Sequence, residues 1–132
     1  DDRPRHNQPS EWPIDPKGEI LVGMMCEDVV GLKNLPKILK EVPGIGVVII
    51  GEGDLSQNLG FPRPYNHPVV AGAIGEILAI CKEHNVACGH PHVEKDNVEA
   101  VVAQGFRWLM PRPERSNATL ALARKLSEQK KD

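Results

Sequence analysis

Four short, almost wholly apolar runs recur along this chain, each followed by a stretch whose apolar residues return at helical spacing. The runs fall at about 19–26, 46–50, 86–90 and 106–110, and the helical stretches at about 35–42, 67–85, 95–104 and 115–129. Strands that alternate with helices pair in parallel through right-handed crossovers. Strands covered on both faces are apolar throughout, as these are. The pattern predicts the α/β class. Four such units make half of a (β/α)8 barrel, whose whole takes about 250 residues. An open, doubly wound four-stranded sheet is the competing arrangement, and periodicity does not separate the two. No Gly-rich phosphate signature follows the first run, which counts against a nucleotide-binding sheet.

Local signals refine the elements. Asn34 is a plausible cap for a helix from Leu35 to Val42, with Pro36 in its first turn and a helical turn before it over 28–33. Pro43-Gly44 stops that helix. Residues 51–66 read as a long loop. His67-Pro68 opens the next helix, striped by Val70, Ile74, Ile77, Leu78 and Cys81. Gly105 closes the third helix, and Ser116 or Asn117 lies near the cap of the last. Trp108 is expected in the core or packed on a helix.

With 132 residues, 40% of them hydrophobic, the chain can build one core and not two. Residues 1–18 carry Pro4, Pro9, Pro13 and Pro16 among polar residues and read as an extended arm or linker; 19–132 is the folded part. A chain opening at Asp1 on such an arm is expected to continue from something before it. The net charge of −2 lacks the basic excess of a nucleic-acid binder. The basic stretch at 128–132 reads as a solvated helix end. The three cysteines show no CxxC spacing, and Cys26 and Cys88, in predicted strands, are expected to be small buried hydrophobes. No run reaches the roughly 18 apolar residues that span a bilayer, and no secretory leader stands at the start. A reducing cytoplasm is the expected setting.

The chemistry concentrates in two acids. Glu27 closes the first apolar run and Asp54 follows the second, in Gly51-Glu52-Gly53-Asp54. In parallel α/β folds, chemistry gathers where strands end, and two acids placed there can hold a divalent metal. Without further information, strand-end acids are more often helix caps or solvated loop residues. Asp28 is the nearer cap, which leaves Glu27 free. Glu52 reads as a loop carboxylate and not as a third ligand. His90 and His92, two apart, would face the same way in an extended segment; they either ligate a metal or line a mouth, or form ordinary loop hydrogen bonds. Arg112 and Arg115 either attract an anionic substrate or lie on the surface. No Cys–His or Ser–His–Asp arrangement and no Schiff-base lysine can be argued from this order of residues.

The stretch from Leu21 to Glu27, then Asn34 and Ile38, then Pro43 through Ser56 resembles the HpcH/HpaI aldolase family, and so do Leu59-Gly60 and His67-Pro68-Val69-Val70. A strand ending in Glu, with Gly-x-x-Asp-Leu-Ser 24 to 29 residues later, is fairly specific as a pair. The resemblance covers about residue 19 onward and corresponds to strands five to eight of a TIM barrel, the C-terminal half.

It implies a metal-dependent (class II) lyase. Such an enzyme cleaves or forms a C–C bond between pyruvate, or another 2-oxo acid, and an aldehyde, through a metal-stabilised enolate. It implies Glu27 and Asp54 as ligands of Mg²⁺, alternatively Mn²⁺ or Co²⁺, and Gly51, Glu52, Gly53, Met25 and Pro91 as substrate-binding positions. His90 and His92 become possible mouth residues. The family's catalytic Arg and His belong to the first half of the barrel and are not in this chain. The implied partners are that N-terminal half and further copies in a homo-oligomer, with neither nucleic acid nor membrane. Three departures stand out: Met25 where many members have Gln, Glu52 where Pro commonly follows Gly51, and His90-Pro91-His92 where the family is apolar. The alternatives are a related enolate-forming lyase or decarboxylase, of oxaloacetate or citramalyl type, and a non-catalytic half-barrel interaction protein.

Overall fold

The computed structural model describes residues 20–63, 65–111 and 117–128. The described residues form a parallel sheet of four strands, β1 (Val22–Cys26), β2 (Ile45–Ile50), β3 (Ala87–Val93) and β4 (Trp108–Pro111), in the order β1-β2-β3-β4. The helices are α1 (Val29–Glu41), α2 (Glu52–Asn58), α3 (Pro68–Glu83), α4 (Val98–Gln104) and α5 (Ala118–Glu128). Sequential order with every pair parallel is that of a partial TIM barrel, and it excludes the doubly wound sheet, whose strand order reverses. The arm at 1–18, Arg112, Arg115, Ser116 and the basic residues at 129–132 lie outside the described residues.

Helix α1 starts six residues before Leu35. Asp28 is its N-cap, and its carboxylate accepts from the Gly31 N–H at 2.7 Å. Asn34 sits inside the helix and its amide donates to the Val30 carbonyl at 2.9 Å. Pro36 is therefore interior, not first-turn, and stands on the exposed side. Helix α3 begins as expected: His67 Nδ1 accepts from the Val69 N–H, with Pro68 at the first position. Gly105 ends α4 at φ 112°, a left-handed backbone that favours glycine. The segment after β2 is not all loop, since α2 forms there.

Among the described residues, although Val47 on the other side is also buried, most of the core lies on one side of the sheet. Cys26, Val48, Ile50, Cys88 and Val93 pack there against Leu35, Ile77, Cys81 and Val101 from the helices. All three cysteines are buried free thiols, and burial first, then nearby Asp28, raises the Cys26 thiol to about 11. The opposite side carries Met25, Val47, Ile49, Gly89 and Trp108, aligned by the pairings Met25↔Ile49 and Gly89↔Trp108. There Met25 is 53% and Trp108 40% exposed. The expectation that Trp108 belongs to the core is thus corrected: it stands on the sheet face that the helices do not cover. No described helix is long and apolar enough to cross a membrane.

Candidate metal and substrate site

Parallel strands end together, so β1 and β2 deliver their following residues to one rim. The Gly51 N–H donates to the Cys26 carbonyl at 3.0 Å, which fixes Gly51 beside the residue that precedes Glu27. Gly51 is where the chain must be bare. A Cβ there would lie 2.5 Å from Glu27 Cβ, 2.8 Å from Glu27 Oε2 and 3.1 Å from Met25 Cγ. The missing side chain of Gly51 is the space that the Glu27 carboxylate occupies.

Gly51 also serves as the N-cap of α2, without a side-chain hydrogen bond. Glu52 and Asp54 fall in the first turn, where carboxylates complement the helix dipole. Asp54 is exposed, Glu52 is 5% exposed and Glu27 half-buried. Ser56 Oγ donates to the Gly53 carbonyl at 2.7 Å and tightens the same turn. Among the described residues, no three His, Cys, Asp or Glu side chains are grouped to hold a metal ion. Among the described residues, Glu27 and Asp54 are the two carboxylates that the resemblance implies as ligands at this rim. Oxygen-only carboxylate donors suit a hard divalent ion, and two of them leave positions for substrate oxygens. The chemistry of this donor set fits such an ion.

Glu52 is not a loop carboxylate. It is the nearly buried acceptor of a hydrogen bond from His92 Nδ1 on β3. Tyr65 stacks on His92, with ring centroids 4.9 Å apart and planes 15° from parallel. His90 and His92 do not share a simple alternation. The β3–β4 register shifts between His90 and Val93, and the core-facing Cys88 and Val93 are five residues apart, an odd spacing that alternation forbids. His90 meets Phe106 edge-on, and its Nδ1 accepts from the His92 N–H at 3.3 Å. Burial lowers the His90 pKa below the ordinary 6.5; Glu52 opposes this and His92 adds to it. Both histidines, with Glu52, Tyr65, Asn97 and Phe106, line a cavity of about 630 Å³.

The structure therefore brings Glu27, Met25 and Gly51 together, and separately Glu52, His92 and Tyr65. Pro91 is half-buried between the two histidines. Tyr65 and Asn97 escaped the sequence reading, because a lone tyrosine or asparagine in a loop has no spacing to mark it.

The family model described as HpcH/HpaI aldolase/citrate lyase matches residues 9–109. The chain belongs to the HpcH/HpaI aldolase/citrate lyase family. Over 114 residues it is 32% identical to 2-keto-3-deoxy-L-rhamnonate aldolase of Klebsiella pneumoniae, covering 86% of this chain and 42% of that protein. Over 71 residues it is 35% identical to 4-hydroxy-2-oxo-heptane-1,7-dioate aldolase of Escherichia coli, covering 54% of this chain and 27% of the relative. An HpcH/HpaI aldolase structure from Desulfitobacterium hafniense superposes with TM-score 0.65 at 22% identity, over 86% of this chain and 44% of that one. The citrate synthase SbnG superposes with TM-score 0.65 at 26% identity, over 84% and 45%. This HpcH/HpaI chain thus spans less than half the length of those relatives.

Proposed function

We propose that this chain supplies the metal-holding rim of a class II aldolase that joins or splits a 2-oxo acid, such as pyruvate, and an aldehyde. The observation that carries the reading is the Glu27 carboxylate seated in the recess left by Gly51, three residues ahead of Asp54. Glu27 and Asp54 would hold Mg²⁺, Mn²⁺ or Co²⁺, which when bound supplies Lewis-acid polarisation of the 2-oxo acid. The open backbone at Gly53, where a Cβ would meet only the Tyr65 hydroxyl at 3.8 Å, admits the substrate carboxylate, while Gly51 makes room for Glu27 and Met25 presents an apolar wall beside it. Proton transfer requires groups from the other half of a barrel. Family membership and the two aldolase relatives support this assignment. The site is proposed to work in the cytoplasm, in a homo-oligomer of completed barrels.

The test is pyruvate release from a 4-hydroxy-2-oxo acid. Chelator, Glu27→Ala and Gly51→Ala should each lower the rate at least about a hundredfold, the scale of losing a transition-state charge stabiliser. Activity indifferent to all three would reject the metal assignment.

A further inference from the structure

Asp54 is carried by a short helical turn whose local side-chain ties run from Ser56 and Gln57 to the Gly53 carbonyl. Helix α2 has seven residues, its cap offers no side-chain hydrogen bond, and Glu52 stands between two glycines. Glycine allows the backbone more conformations than any other residue. Metal ligands must nevertheless sit within about 0.2 Å of their proper distances. Those local ties end on the Gly53 carbonyl, and a contact from elsewhere in the fold adds restraint at Glu52.

The structure contains such a tie. A carboxylate as buried as Glu52 needs a partner, and its partner comes from 40 residues further along the chain. The carboxylate only accepts, so His92 Nδ1 carries the proton. His92 is itself held at several points. Its N–H donates to His90 Nδ1 at 3.3 Å, and its carbonyl accepts from Asn97 Nδ2 at 3.0 Å. Asn97 Oδ1 in turn accepts from the Glu94 N–H at 2.8 Å. Tyr65 stacks on the imidazole, and its hydroxyl lies 3.8 Å from where a Cβ on Gly53 would stand. One ring thus braces His92 and approaches this turn.

We propose that Glu52 and His92, braced by Tyr65, form a latch between α2 and β3 that positions the Gly51–Asp54 turn, so that Asp54 reaches the metal shared with Glu27. The inference rests on the metal reading above. Both are positioning residues.

The test is Mn²⁺ affinity of the purified protein, measured by titration, with thermal unfolding to check the fold. His92→Phe keeps a ring for Tyr65 but has no donor, and should weaken Mn²⁺ binding about 10- to 100-fold, as loss of a metal's supporting contact does. His92→Asn puts an N–H near the Nδ1 position and should restore binding close to wild type. Glu52→Ala should weaken it like His92→Phe, and the double variant no further, since the pair acts as a unit. Wild-type affinity in His92→Phe, or equal weakening in His92→Asn, would overturn the latch. Asp54→Ala separates the two claims. If it leaves Mn²⁺ binding intact, the metal reading fails; if it abolishes binding while His92→Phe does not, only the latch fails. Should His92→Phe not fold, Glu52→Ala against Glu52→Gln decides, because Gln retains an acceptor for His92 and should rescue.

Discussion

At the scale of single residues, this chain uses small and charged groups in complementary ways. Gly51 contributes by lacking a side chain, and Glu27 fills the space. His90 is the residue whose protonation the fold most directly opposes, chiefly through burial. An unfolded chain protonates this imidazole near the ordinary 6.5, while the folded chain does so only at lower pH. Between those values the unfolded state binds more protons, so stability falls as pH falls. Above 6.5 the contribution is fully present. Urea midpoints at about pH 8 and about pH 5 bracket the imidazole range. The wild type should lose more stability between them than His90→Asn, and equal losses would place the acid sensitivity elsewhere. The places of Glu27 and Asp54 just after β1 and β2 were legible from the apolar runs that precede them. The partnership of Glu52 with His92 was not, because 40 residues separate them and neither belongs to a periodic pattern.

At the scale of elements, local chemistry set most boundaries and tertiary packing moved the rest. His67-Pro68 and Gly105 mark helix ends through rules that act within a few residues, and the structure keeps both. Helix α1 differs. Two polar residues, Asp28 and Asn34, both precede apolar spacing, and Asp28 wins because Leu32 as well as Leu35 reaches the core from the longer helix. Replacing Asp28 by Ala should cost about 0.5–2 kcal/mol, the range for a lost N-cap acceptor. Asn34→Ala should cost much less, since alanine is the better helix former at an exposed interior position. Chemical denaturation of the two variants checks this; the reverse ranking would restore Asn34 as the cap.

At the scale of the whole molecule, the described helices cover one face of the sheet and leave much of the other exposed. Met25, Trp108 and Met110 are each at least 40% exposed on large apolar side chains. Strands β1 and β4 are the edges of the described sheet. Exposed apolar surface and free edges favour association. The 132 residues expressed alone should therefore self-associate, and Trp108→Lys should weaken that association, as read by sedimentation velocity. A monodisperse monomer at high concentration would contradict this.

Apolar period and turn chemistry act through neighbours a few positions apart, so the sequence by itself determined the alternation of four strands with helices and the acids at their ends. Which side of the sheet stays open, that β3 slips by a residue, and that a histidine of β3 meets Glu52 at the start of α2 depend on contacts between distant segments. Those contacts exist only once the strands lie side by side, and the tertiary structure alone decided them.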